Sequence, residues 1–197
     1  MMRSIRVVTR SPEETRILGA SLAPTLLPGD VISLSGELGS GKTVFVQGLA
    51  AALGVHERVT SPTFTIVHEY AGRYPIVHLD IYRLDSFQEL LDLGFEEFLD
   101  PDAILVLEWG EAVEPLLPRA HLRVEIRRTD DPDAADERIV TFRATGEEWS
   151  RKLFETRSTA DALLDAASDE QYSGSRFSDV PVTRDHRAKR EPRTGDA

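Results

Sequence analysis

Apolar and polar positions alternate from Ser4 to Thr9 (SIRVVT), which predicts a short first strand. Ser11-Pro12-Glu13-Glu14 then carries the chemistry of a helix start. A serine hydroxyl can cap the first free N–H groups, proline suits the first helical position, and acids suit the first turn. Ile17, Leu18, Leu22 and Leu26 recur on one face, so this helix is expected from about Pro12 to Leu26 with those four inward. Pro24 would kink or shorten it. Pro28-Gly29-Asp30 is a turn into a second strand, Val31 to Ser35.

The pattern continues with a helix from Thr43 to Leu53, with Val44, Val46, Leu49 and Leu53 toward a sheet and Gly54 as its stop. Thr65 to Tyr70 and Tyr74 to Leu79 flank the turn Ala71-Gly72-Arg73 and predict an antiparallel hairpin. Ser86 to Leu99 reads as helical, interrupted at Gly94. Ala103 to Leu107 (AILVL) is a continuous apolar run, the signature of a buried parallel strand. Glu111 to Leu117 predicts a short helix or turn. Leu122 to Ile126 and Arg138 to Phe142 predict two strands joined by a charged loop. From Glu147 to Ala167, Trp149, Leu153, Ala160, Leu163, Leu164 and Ala167 recur at helical spacing, so an amphipathic helix is expected there. Residues 168–197 hold few large apolar side chains and read as a disordered tail.

Strands interleaved with helices place the chain in the α/β class. The expected architecture is a mainly parallel sheet flanked by helices, with added antiparallel strands and a C-terminal helix. One domain would span residues 1–146, the helix 147–167, and the tail the rest.

The junction between the second strand and the second helix changes this from a fold class to a chemistry. Gly36-Glu37-Leu38-Gly39-Ser40-Gly41-Lys42-Thr43 matches G-x-x-x-x-G-K-[ST], with a strand before it and a helix after it. Glycines let the backbone curl so that consecutive N–H groups face phosphate oxygens. The positive end of the following helix adds to that field. Lys42 supplies a mobile charge for the β- and γ-phosphates, and the Thr43 hydroxyl can ligate Mg²⁺. The sequence thus predicts a P-loop NTPase fold with a nucleoside triphosphate ligand.

Composition narrows the setting. The chain has 197 residues and no cysteine, which excludes disulfides, thiolate metal sites and cysteine nucleophiles. No apolar run approaches the roughly 18–20 residues that span a bilayer, and the first residues lack the apolar core of a signal peptide. A cytoplasmic, membrane-free protein is the expectation. The net charge is −11. Residues 1–150 hold 14 basic and 25 acidic side chains, whereas residues 151–197 hold nine of each. So acidic a core is a poor platform for phosphate contacts with nucleic acid. Any RNA would be held mainly by a partner.

A phosphate loop alone does not name a reaction. Two predicted strand ends carry acids, Asp80 after Ile76-Val77-His78-Leu79 and Glu108 after Ile104-Leu105-Val106-Leu107. In open α/β sheets ligands bind at the carboxyl ends of strands. Both carboxylates are therefore candidates to hold Mg²⁺ or to orient an attacking water, although strand-end acids are also common on solvated surfaces. Thr60-Ser61-Pro62-Thr63 lies where a switch loop would meet the γ-phosphate, or is a proline turn with hydroxyls. Trp109 would stack on a base or cover the rim. His68 and His78 read as structural. Arg83 reads either as an electrostatic finger or as a surface ion pair. The guanine-reading Asn-Lys-x-Asp of GTPases and the Leu-Ser-Gly-Gly-Gln of ABC ATPases are both missing. A small-molecule kinase stays open, though no arginine-rich lid segment stands out.

Taken in order, these motifs resemble one family. Ser11-Pro-Glu-Glu, the phosphate loop, Thr60-Ser-Pro-Thr-Phe64, His78-Leu-Asp-Ile-Tyr-Arg83, Leu93-Gly-Phe-Glu-Glu-Phe98 and Leu107-Glu-Trp109 are similar to the TsaE (YjeE) ATPases of bacterial tRNA threonylcarbamoyladenosine biosynthesis, over about residues 5–145. The resemblance implies a small ATPase, weak alone, acting with the TsaD and TsaB proteins. Those proteins transfer threonylcarbamoyl to N6 of an anticodon-loop adenosine, and ATP hydrolysis would reset them between turnovers. It further implies that Lys42 and the backbone of Glu37, Leu38, Gly39, Ser40 and Gly41 hold phosphates. Thr43 and Glu108 would ligate Mg²⁺, Asp80 would act near Mg²⁺ and the γ-phosphate, Trp109 would line the nucleotide site, and Ser11 would lie near the adenine. tRNA would be met only through the partners. The extension over residues 147–197 goes beyond what the family core requires. A small-molecule P-loop kinase and a nucleotide-gated binding module remain the rival readings.

Overall fold

Among the described residues eight strands form one mixed sheet, and the strand that carries the phosphate loop lies inside its parallel core. The computed structural model describes residues 3–82, 89, 92, 94–129, 131, 134–167 and 177–179. The strands are β1 (Arg3–Thr9), β2 (Val31–Ser35), β3 (Val67–Ala71), β4 (Pro75–Asp80), β5 (Ile104–Glu108), β6 (His121–Arg128), β7 (Arg138–Thr145) and β8 (Phe177–Asp179). Their order across the sheet is β3-β4-β5-β2-β6-β7-β1-β8. Only β4-β5-β2-β6 pair in parallel, and the four outer pairings are antiparallel. The expected mainly parallel sheet is therefore a parallel centre with antiparallel wings. Connections as short as the β3–β4 turn can join only antiparallel neighbours; parallel ones need a crossover.

Helices α1 (Pro12–Ala20), α2 (Lys42–Ala52) and α3 (Glu147–Ala167) all contribute to one core with Ile32, Leu34, Ile76, Val106, Val124 and Phe142 of the sheet. These helices cover one face of the sheet. The other face is capped over β4 and β5 by Phe95, Val113 and Leu117, from single-turn stretches such as Phe95–Phe98 and Glu114–Leu116. Over β6 and β7 it presents Arg123, Glu125, Arg127 and Arg143 instead.

Element boundaries shift for local reasons. The first helix ends at Ala20, short of the expected Leu26, and Ala23–Thr25 forms a separate turn around Pro24. Proline lacks the N–H that would continue the ladder. Leu22 and Leu26 stay fully buried nonetheless. In α2 it is Phe45, not Val44, that is buried with Val46, Leu49 and Leu53. Helix α3 covers the predicted span, with Trp149, Leu153, Ala160 and Leu164 in the common core, whereas Leu163 and Ala167 are exposed. Glu111 to Leu117 resolves into two short turns, Gly110–Ala112 and Glu114–Leu116. The helix expected at Ser86 falls largely outside the described residues, as does Arg83. Within the stretch read as a disordered tail, Phe177–Asp179 pairs with Ile5–Val7 of β1, which covers part of that strand's edge. The remainder of that stretch lies outside the described residues.

Two packing devices hold the phosphate loop in place. Lys152 of α3 reaches the turn before β2, with Nζ 2.6 and 2.7 Å from the two carboxylate oxygens of Asp30. Asp30 Oδ2 also accepts from Leu27 N at 2.8 Å, so the buried pair is satisfied on both sides. Helices α1 and α2 meet through glycine. A Cβ at Gly48 would lie 1.9 Å from the Arg16 carbonyl oxygen, and one at Gly19 would lie 2.1 Å from that of Phe45. Gly48→Ala is therefore expected to cost about 1–3 kcal/mol by forcing the helices apart. Urea unfolding measures this; an unchanged midpoint would show that the helices separate without strain.

Candidate nucleotide site

Strand register assembles the site. Asp80 is the partner of Glu108 across β4 and β5, and Glu108 is the partner of Leu34 across β5 and β2. Both acids thus stand at strand ends beside the residue that leads into the loop. The loop leaves β2 through three glycines with positive φ: Gly36 at 138°, Gly39 at 72° and Gly41 at 111°. Gly36 also has no room for a side chain, because its Cβ would lie 2.1 Å from the Ile126 carbonyl oxygen. Helix α2 starts at Lys42, one residue before the expected Thr43, so its unpaired N–H groups face the loop.

Lys42 is folded back over this loop. Its Nζ donates to the Gly36 carbonyl at 2.7 Å and the Glu37 carbonyl at 3.1 Å, and sits 3.7 Å from the centre of a Trp109 ring. Burial pushes its pKa below the usual lysine value, while Glu108, Glu111 and Asp80 pull it back up. A polyphosphate arriving at the loop would add to the second effect and favour the charged form. Thr43 Oγ1 donates to Glu108 Oε1 at 2.8 Å, and His78 Nε2 lies 3.1 Å from the same oxygen. Asp80 Oδ2 accepts from Ser61 and, at 2.8 Å, from Thr63, while Oδ1 accepts from the Tyr82 N–H at 3.1 Å. The Thr60–Thr63 segment is therefore joined to the site through Asp80.

Leu38, Gly41, Lys42, Thr43, Ser61, Thr63, Asp80, Tyr82, Glu108 and Trp109 line a cleft of about 500 Å³. The size suits a small ligand. Thr43 hydroxyl and Glu108 carboxylate are hard oxygen donors set side by side, the donor type Mg²⁺ prefers, so the residues fit such an ion. A larger groove, about 890 Å³, crosses the charged sheet face of β6 and β7. Its Arg127 and Arg143 are engaged with Glu125, and its Arg123 with Glu114.

Not every candidate reaches the cleft. Ser11 caps α1, with Oγ accepting from Glu14 N at 3.1 Å. It stands four residues before Thr15, whose methyl group flanks Gly41. His68 stays structural, its Nδ1 3.3 Å from the Tyr70 hydroxyl. Other residues join the site without having been singled out. Tyr82 packs against Trp109 with ring centres 4.8 Å apart. Arg128 donates to the Gly39 carbonyl at 3.2 Å and Arg138 to the Ser40 carbonyl at 3.0 Å, so the base of the β6–β7 hairpin grips the loop. No local motif announces a contact between residues 98 positions apart. Trp109 has φ of 67°, a left-handed conformation costly for a bulky side chain. Gly110 follows in close contact with β2, where a Cβ would lie 2.0 Å from Ser33 Oγ.

Loop, strand order and cleft together define a phosphate-loop protein of the α/β class. Comparison with known proteins makes this specific: the family described as "Threonylcarbamoyl adenosine biosynthesis protein TsaE" matches residues 9–139. A tRNA threonylcarbamoyladenosine biosynthesis protein TsaE of Bacillus subtilis is 40% identical over 149 residues, covering 75% of this chain and 90% of that one. The Streptomyces coelicolor protein of the same description is 44% identical over 139 residues, covering 68% and 93%. The crystal structure of Bacillus subtilis YdiB matches with a TM-score of 0.69 at 34% identity, covering 80% of this chain and 97% of that one. The chain belongs to the TsaE family. Among the described residues no helix is long and apolar enough to cross a membrane.

Proposed function

We propose that this chain binds and hydrolyses ATP as a subunit of the tRNA N6-threonylcarbamoyladenosine machinery and resets its TsaD–TsaB partners between turnovers. The observation that carries the ATPase part is the 2.8 Å bond between Thr43 and Glu108, which joins the phosphate loop to a strand-end acid 65 residues away. Lys42 and the loop N–H groups bind the β- and γ-phosphates. Thr43 and Glu108 would hold Mg²⁺, whose chemistry is to neutralise charge on those phosphates. Asp80, fixed by Ser61, Thr63 and the Tyr82 N–H, stands ready to orient water. The water oxygen bonds to the γ-phosphorus, the bond to the β–γ bridging oxygen breaks, and ADP, phosphate and a proton leave.

The cleft mouth supports the partner part. Leu38 and Tyr82, which both line the cleft, are 72% and 50% exposed, an apolar rim on an acidic protein. A partner seated on this rim would sense whether the Thr60–Thr63 segment is engaged with nucleotide, and would itself hold the tRNA. Purified TsaD and TsaB should therefore be retained by this chain more strongly with ATP and Mg²⁺ than without. Retention that ignores nucleotide would remove the resetting role. Transfer of the γ-phosphate to a metabolite without partners would identify a small-molecule kinase instead.

A further inference from the structure

His78 has no role in the reading above, yet its surroundings are unlike those of a packing histidine. It stands on β4 two residues before Asp80, fully buried, on the same sheet face as Asp80 and Glu108. A carboxylate only accepts, so His78 Nε2–H donates to Glu108 Oε1. That oxygen already receives the Thr43 hydroxyl. Two donors on Oε1 leave Oε2 as the oxygen without a protein donor among the described residues.

The other ring nitrogen sharpens the point. His78 Nδ1 is buried and has no hydrogen-bond partner among the described residues. An unpaired buried polar atom costs roughly 1–3 kcal/mol. A leucine or phenylalanine would fill the space without that cost, so packing alone does not account for an imidazole here. One face of the ring lies against Tyr70, centres 6.3 Å apart, and the Tyr70 hydroxyl is 3.3 Å from both Thr60 N and Thr60 O. The imidazole that meets Glu108 therefore has an aromatic neighbour that is itself tied to Thr60.

We propose that His78 is a positioning residue for Glu108: its Nε2–H pins Oε1 beside Thr43 and reserves Oε2 for the divalent cation. The inference rests on the ATPase reading, because Glu108 acts as a cation ligand only there. Removing the partner that orients a metal ligand typically weakens metal binding by roughly 10–100-fold.

The test uses the full chain with Mn²⁺ as the probe and a non-hydrolysable ATP analogue. His78→Leu removes the donor, and His78→Gln keeps an N–H at similar reach. Electron paramagnetic resonance reads Mn²⁺ affinity of the nucleotide-bound protein, and a fluorescent analogue reads nucleotide affinity in chelator. His78→Leu is expected to weaken Mn²⁺ about tenfold or more and leave chelator-state nucleotide binding unchanged, while His78→Gln recovers most of the loss. Wild-type Mn²⁺ affinity in His78→Leu overturns the proposal, as does equal impairment of both variants. Should the leucine variant not fold, nitrogen NMR of the wild-type histidines decides. A proton on Nε2 of His78 supports the inference, and one on Nδ1 instead overturns it. If the wild type itself binds nucleotide with no effect of metal, the ATPase reading falls and takes this inference with it. A metal-dependent wild type beside an unaffected leucine variant removes the inference alone.

Discussion

Lys42→Ala should weaken ATP binding about a hundredfold, since a charge-assisted contact to phosphate contributes roughly 1.5–3 kcal/mol. The effect has two parts. The variant loses the only cation that the described loop itself carries, and it releases the Gly36 and Glu37 carbonyls that Nζ now holds. Freed carbonyls would face the phosphates with the wrong sign of charge, so the loop loses both charge and shape. Titration with a fluorescent ATP analogue measures the loss. Lys42→Arg should recover little of it, because a forked guanidinium does not replace a point charge seated on two carbonyls and an indole. Nucleotide affinity that survives Lys42→Ala would mean that the cleft is not the ATP site.

Glu108→Ala separates binding from turnover. It removes the acceptor of both Thr43 and His78, and with it the carboxylate proposed to hold Mg²⁺. ATP hydrolysis should fall roughly 10²–10³-fold, the scale seen when one electrostatic contact to a developing charge is lost. Nucleotide affinity measured in chelator should change little, because the loop N–H groups and Lys42 are untouched. The consequence for the partners is decisive. If association with TsaD and repeated tRNA modification continue unchanged while hydrolysis is lost, ATP serves as a switch ligand and the resetting role is wrong. If the first modification round completes and later rounds stall, hydrolysis does the resetting.

Much of this site could be read along the chain because its parts are local. The phosphate loop needs only eight consecutive residues: three glycines at positive φ, a lysine at the helix start and a threonine after it. Helix α3 was legible over its whole span because Trp149, Leu153, Ala160 and Leu164 recur at helical spacing. The hairpin of β3 and β4 followed from one short turn. Asp80 and Glu108 stood out as acids closing apolar runs.

Other features depend on what the chain brings together. Whether wings of the sheet run parallel or antiparallel is set by which strands become neighbours, and alternation within a strand is the same either way. The burial of Phe45 in place of Val44 follows from the close glycine contact of α1 with α2, which fixes the rotation of the second helix. His68 and His78 look alike on paper, each on a predicted strand. The fold sets His78 two residues before Asp80, the register partner of Glu108, and so within reach of that acid, and leaves His68 beside Tyr70 of its own strand.

From its order of residues this chain already specified a phosphate cradle, two strand-end acids and a likeness to one family, because glycine conformation, helix polarity and apolar spacing act over a few residues. The fold decided which oxygen of Glu108 is held, which arginines grip the loop, and that Trp109 is strained over Lys42. Those contacts join residues 30 to 98 positions apart. They arise only once sheet register and loop packing bring these distant groups within bonding distance, where a partly buried hydrogen bond is stronger than in water.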